Sequence, residues 1–173
     1  MQKLTIHAPR RYFGNKMTIS TTAGAMKKFR RTPWRFQETF QTPLKDLERF
    51  VAAILSANED IKQACVVIDQ IVFEPKTLKA LLPADHMELL IQDCSLAAMS
   101  RPEIHKLLRA ALADWIDFAF IPSPRPYVIY ADHDEYTTFY ANTKSNLSRV
   151  IAPLSKQGFR QVIGWQRHFD SPR

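Results

Sequence analysis

Prolines at alternate positions interrupt the chain in the run IPSPRP at 121–126. Each proline fixes its φ angle and removes a backbone donor, so the run is predicted to be a stiff, extended connector. Helical patterns dominate residues 42–120 before it, and strand patterns dominate residues 127–173 after it. Because the second stretch is short for a core of its own, residues 42–173 are expected to form a single domain that contains the connector.

The stretch before the connector is predicted to be mostly helical. Thr42 suits an N-cap and Pro43 the first helical position, so a helix is expected from residue 42 to about residue 58. Further helices are expected at 76–82 and 85–99. Ser100 and Glu103 have the spacing of a capping box, and the helix that they begin carries an apolar stripe as far as Phe118.

The run CVVIDQIVF at 65–73 is the exception in this helical stretch. It is dense in β-branched residues, which favours a buried strand. Its apolar residues also keep a helical spacing, so a helix remains the alternative there.

Beyond the connector, the pattern predicts a hairpin, a helix and a strand. The hairpin arms are 127–131 and 136–141, the helix runs from about residue 143 to 157, and the strand covers 160–169. The predicted fold class is therefore α+β. A helical N-terminal half is followed by a β-hairpin–helix–strand unit that forms a small mixed or antiparallel sheet, and a basic extended arm precedes both.

The charge of the chain is concentrated at its N-terminus. Residues 1–37 carry nine cations and no anion, although the net charge of the whole chain is only +7. Residues 1–41 show no sustained hydrophobic period, so we expect an extended basic arm. Its acid-poor composition also fits an organelle-targeting leader, and residues 1–25 could be absent from the mature protein, because Met17 and Met26 are alternative starts.

Two cysteines, Cys65 and Cys94, fit no zinc or redox spacing, and no apolar run is long enough to span a membrane. Both observations favour a cytoplasmic protein, with an organelle as the alternative. The four glycines are too far apart to form a phosphate-binding loop, which argues against a nucleotide cofactor. We expect neither a cofactor nor a bound metal.

The stretch MKKFRRTPWRF at 26–36 interleaves cations with aromatic residues. Cations neutralise phosphates and aromatic rings stack on unpaired bases, so RNA or single-stranded DNA is one predicted partner. An acidic protein or an anionic membrane surface is the alternative. The aromatic residues could instead pin the arm to the domain. The candidate binding residues are Lys27, Lys28, Arg30, Arg31, Trp34 and Arg35.

The stretch YADHDEYTTFYA at 130–141 places acidic residues at the tip of the predicted hairpin. Asp132 and Asp134 share one face of an extended chain, so with His168 they could serve a metal-dependent phosphodiester hydrolase. No second acidic motif accompanies them, however, and aspartate is common in hairpin turns. We therefore favour an ordinary charged turn.

The same hairpin is rich in tyrosine. If Tyr130, Tyr136 and Tyr140 were exposed, they would form a protein-binding patch; the alternative is ordinary packing within the sheet. Together these features predict a non-enzymatic binding protein of the small inhibitor, immunity or accessory type. Its basic arm would bind nucleic acid or an acidic partner and its hairpin would bind a protein. The hydrolase is the alternative function.

Overall fold

The structure is a computed structural model that describes residues 11–13, 17–82 and 90–169. In these residues eight strands form one sheet in the order β1-β2-β5-β4-β6-β7-β8-β3, and every neighbouring pair is antiparallel. The strands are β1 Arg11–Phe13, β2 Met17–Thr21, β3 Phe36–Gln41, β4 Gln63–Gln70, β5 Cys94–Ala98, β6 Asp117–Ser123, β7 Val128–Ala131 and β8 Tyr136–Ala141. The helices are α1 Ala25–Arg31, α2 Leu47–Ser56, α3 Lys76–Lys79, α4 Arg101–Ala113 and α5 Lys144–Lys156.

The central strands are apolar on both faces, because successive side chains of a strand point to opposite sides. In β4, Ala64, Val66 and Ile68 join the larger hydrophobic cluster, whereas Val67 joins a smaller cluster on the other face and Cys65 packs against it. β6, β7 and β8 alternate in the same way. The side chains that they send to the larger cluster are Phe118, Phe120, Ile129, Ala131, Phe139 and Ala141.

Three amphipathic helices cover the face that carries the larger cluster. α2 packs against α4 and α5, α4 contacts β4 and β5, and α5 contacts β3 and β8. Their buried side chains, such as Phe50, Leu108 and Val150, recur at helical spacing and complete the core. On the other face, α1 and the segment that ends at Phe169 provide the cover that the described residues show.

The predicted architecture of a helical half followed by a small sheet is wrong. Strands dominate, and the sheet draws on the whole described chain, although the α+β class itself holds. Residues 17–41 do not form an extended arm. They supply two strands, β2 and β3, and the helix α1 between them. Residues 94–98 lie in the sheet as β5 and not in the helix expected at 85–99, while residues 85–89 of that helix lie outside the described residues.

Several local predictions are confirmed and others need correction. The strand at 65–73 is present as β4, the hairpin as β7 and β8, and the last helix as α5. The first predicted helix begins at Leu47 and not at Thr42, whose hydroxyl instead hydrogen-bonds the hydroxyl of Thr137 at 2.7 Å. Ser100 occupies the N-cap of α4, but its side chain makes no capping hydrogen bond.

The connector and the last strand were also misassigned. Residues 121–123 belong to β6, so the proline run at 121–126 begins inside a strand. Residues 160–169 form no strand; they run beside β3, with a single bridge between Phe40 and Gln161. Among the described residues, no helix is long and apolar enough to cross a membrane.

Replacement of Ile68 by alanine should lower the free energy of unfolding by about 3 kcal/mol, because it empties a fully buried position in the central strand. Ile163→Ala is the matched control: Ile163 is 82% exposed, so the same change should cost less than about 0.5 kcal/mol. Urea denaturation measures both values. Similar losses for the two variants would contradict the placement of β4 and of the final segment.

Candidate functional site

The basic stretch at 26–36 folds mainly into the short helix α1. Met26 and Phe29 point to the sheet and are buried. Lys27, Lys28 and Arg31 are exposed, as is Arg35, which follows the helix. Within the described part of the chain, none of these four cations has a carboxylate within 4 Å. α1 therefore presents a positively charged outer face.

A carboxylate from a distant part of the sequence fixes the beginning of α1. The N-cap, Gly24, has a left-handed backbone (φ 78°) and no side chain that could cap the helix. Asp93 takes over this role, because its carboxylate accepts hydrogen bonds from the amides of Gly24 at 2.8 Å and Met26 at 2.9 Å. These bonds satisfy amide groups that a helix leaves without partners at its N-terminus.

Aromatic packing holds the other side of α1. The Phe29 ring lies 6.0 Å from each of the rings of Trp34, Tyr130 and Tyr140 and 5.7 Å from that of Phe169, measured between centroids. Trp34 is half-buried in this cluster, so its position fits the anchoring alternative and not an open stacking surface. α1 is thereby tied to the hairpin and to the end of the described chain.

Among the described residues, Arg30 is the cation of α1 that pairs with a carboxylate. Its guanidinium pairs with Asp69 at the end of β4, whose side chain is only 5% exposed. The same carboxylate accepts the hydroxyl of Tyr130 at 2.7 Å. Burial opposes the charge of Arg30, but the hydrogen bond and negative charge of Asp69 outweigh it and raise the pKa of Arg30. The pair locks α1 onto the sheet.

The charged stretch at the hairpin tip forms a turn. Asp132 is buried, and its Oδ1 accepts the amides of Asp134 and Tyr136 at 3.0 Å each. Its other oxygen pairs with the guanidinium of Arg167, which also lies over the ring of Tyr130, 4.7 Å from the ring centroid. This carboxylate thus closes the turn and fastens the C-terminal segment.

A histidine–aspartate pair lies beside that turn. Oδ1 of Asp117, at the beginning of β6, accepts both the backbone amide and the Nδ1 of His133 at 2.8 Å. The Nε2 of His133 lies 3.9 Å from a carboxylate oxygen of Asp134, which is largely exposed. The hydrogen bond with Asp117, assisted by the negative charges of both carboxylates, raises the pKa of His133 although partial burial opposes it.

The residues proposed for a hydrolase are not gathered into a site. Asp132 is occupied by Arg167 and by turn amides, Asp134 points into solvent, and His168 is exposed on the C-terminal segment. Among the described residues, no group of three side chains could hold a metal ion. The geometry gives this alternative no support.

The tyrosines expected to form a protein-binding patch lie largely inside the structure. Tyr130 and Tyr140 are buried in the smaller cluster, and Tyr136 is half-buried and stacked on Trp165 with 5.1 Å between ring centroids. Tyr130 and Tyr140 therefore fit the packing alternative, whereas Tyr136 keeps part of its surface exposed.

Four residues that organise this face were missed by sequence reasoning, namely Asp69, Asp93, Asp117 and Arg167. Each acts on a partner at least 16 positions away along the chain. The one local sequence signal was that of Asp69, which stands at the polar end of the apolar strand β4. No family model matches the chain, and no curated protein or solved structure shows significant similarity to it.

Replacement of Asp69 by alanine should lower the free energy of unfolding by about 2 kcal/mol, because Arg30 and the Tyr130 hydroxyl both lose their partner. Glu74→Ala removes the carboxylate of an exposed pair with Lys79 and should cost less than about 0.5 kcal/mol. Denaturant titration compares the two. A cost for Asp69→Ala as small as that of Glu74→Ala would show that the pair does not lock α1.

The pair formed by His133 and Asp117 should make stability depend on pH. The folded state holds the proton of His133 more tightly than the unfolded chain, so its contribution is full below the ordinary pKa of 6.5 and is lost as the pH rises through the raised folded value. Unfolding free energies measured across this window should fall for the wild type and change less for His133→Asn. An identical pH profile for both would rule the pair out as the cause.

Proposed function

We propose that this chain is a non-enzymatic binding protein that holds single-stranded nucleic acid on the outer face of α1. The observation that carries the proposal is the arrangement of Lys27, Lys28, Arg31 and Arg35. All four are exposed and have no ion-pair partner among the described residues. Three of them stand on α1, which is fixed to the sheet, and Arg35 follows the helix. Such a surface can neutralise phosphates without first ordering a flexible chain.

The spacing of the cations supports a polyanionic ligand. Lys27 and Arg31 are four positions apart, so they are neighbours on the helix surface, where like charges destabilise an isolated helix. Lys28 and Arg31 also lie in the last turn, where the helix dipole favours positive charge. That effect accounts for part of the arrangement but leaves Lys27 and Arg35 unexplained. A bound phosphate backbone would relieve the repulsion among all four.

A cytoplasmic location fits this proposal. Both cysteines are free, with Cys94 buried and Cys65 partly exposed on the sheet. Free thiols are common where the cell keeps them reduced, and single-stranded RNA is available in the same compartment.

The proposal predicts a salt-dependent affinity that requires α1. Labelled oligouridine and oligothymidine of about 20 nucleotides, longer than one site of this kind, would be titrated with the full chain at several salt concentrations. Replacing Lys27, Lys28 and Arg31 together by alanine should reduce the slope of log affinity against log salt by about 2, since each phosphate contact contributes about 0.7.

The matched control removes three cations from α5, on the other side of the sheet. Lys144, Arg149 and Lys156 are exposed, and their replacement by alanine changes the net charge by the same amount. The control should retain most of the wild-type slope. Equal slopes for the two triple variants, or no binding by the full chain at low salt, would overturn the proposal. If the chain bound acidic peptides or anionic vesicles but not oligonucleotides, the partner of the charged face would belong to another class.

A further inference from the structure

A trough of about 420 Å³ lies on the sheet face that carries α1. Its lining comes from β2, β5, β4 and β6 and from residues just beyond their ends. These strands send their large apolar side chains, such as Ile19, Val66 and Leu96, to the helical face. Mostly small or polar side chains remain on the open face. The polar ones are Thr18, Ser20, Thr22, Gln63, Ser95 and Ser123.

The strand register defines the floor of the trough. Thr18 pairs with Ala97, Ala97 with Cys65, and Cys65 with Ile121, so these four side chains form one row across four strands. Since neighbouring strands lie about 4.8 Å apart, the row is about 14 Å long. The two central side chains, Ala97 and Cys65, are small, so the floor is low there, and none of the described residues that line it is aromatic.

α1 borders the trough directly. Cys65 and Ile121 line it and also pack against the cluster that contains Met26 and Phe29 of α1. Thr22 also lines the trough, and its backbone carbonyl accepts a hydrogen bond from the amide of Ala25, the first residue of the helix. The cationic helix and the trough therefore lie side by side on one face of the sheet.

The chemistry of the trough suits an anion. No carboxylate is among the residues that line it, and the nearby carboxylate of Asp93 is occupied by the amides at the beginning of α1. Lys62 and Arg125 are exposed next to the trough in the sequence, since Lys62 precedes Gln63 and Arg125 follows Ser123 by two positions, and Gln63 and Ser123 line it. Burial raises the pKa of the Cys65 thiol, and a hydrogen bond with Ser95 and the positive charge of Arg125 oppose this rise.

We infer that the nucleic-acid strand bound by α1 continues into this trough, with its sugar–phosphate backbone on the floor and its bases outside. The inference rests on the proposed function and extends it. The hydroxyls of Ser20 and Ser123 donate hydrogen bonds to phosphate oxygens, and Lys62 and Arg125 hold the end of the strand. Because no ring stacks on the bases and no side chain reads their edges, recognition is independent of sequence.

The test introduces negative charge into the trough and, separately, the same charge elsewhere. Ser20→Glu combined with Ser123→Glu places carboxylates at two corners of the trough. Ser145→Glu combined with Ser148→Glu adds the same charges to exposed positions of α5. Affinities for oligouridines of about 5 and about 15 nucleotides are measured by fluorescence anisotropy, with the folded state checked by circular dichroism.

The trough variant should bind the longer oligonucleotide about tenfold more weakly than the α5 variant does. The two variants should bind the shorter oligonucleotide, which α1 alone can hold, with similar affinity. If the double trough variant does not fold, Ser123→Glu is compared with Ser145→Glu, since both positions are exposed.

The outcomes separate the inference from the proposal on which it rests. If the trough and α5 variants bind the longer oligonucleotide equally, the strand does not enter the trough, and binding at α1 stands. If the wild type binds neither oligonucleotide at low salt, both statements fall. A strong preference of the wild type for one base composition at equal length would also overturn the placement of the bases outside the trough.

Discussion

The rest of the structure depends on the burial of the central sheet on both faces. β4, β6 and β7 carry apolar side chains on each side, so one layer of helices cannot remove all of this surface from water. The amphipathic helices α2, α4 and α5 cover one face. α1 and the segment ending at Phe169 are brought onto the other face, where Val67, Ala119, Val128 and Tyr130 require cover.

The need to cover this second apolar face explains why a seven-residue basic helix is stable in the fold. A helix of that length is not stable alone in water, and its cations repel one another. Its position is set by tertiary contacts instead. Asp93 caps its first amides, Phe29 packs among aromatic rings, and Asp69 binds Arg30. These contacts all involve the side of α1 that faces the sheet. The cations on the outer side remain exposed to solvent, so the packing of α1 also determines where its positive charge lies.

The sequence predicted secondary structure best where local residue patterns alone determine the element. β4, the β7–β8 hairpin and α5 have clear apolar periods and turn or cap residues, and all three are present. β2, β3 and β5 were missed because each has a polar or small-residue face. Ser95 and Ala97 fit a helix as well as a strand, and only pairing with distant strands decides between them. The turn at Asp132 was predicted, but its partner Arg167 lies 35 positions later, and no local signal connects the two.

The two halves of the outer sheet face differ in a way that core packing alone does not explain. Where α1 covers the sheet, the face carries Val67, Val128 and Tyr130. In the trough, the face carries short threonine, serine and alanine side chains together with Cys65, Ile121 and Met99. An open face left for solubility alone would suit long charged side chains, which also protect a sheet against association. Short hydroxyl side chains keep the surface low and able to donate hydrogen bonds instead. This low, uncharged floor lies beside the cations of α1.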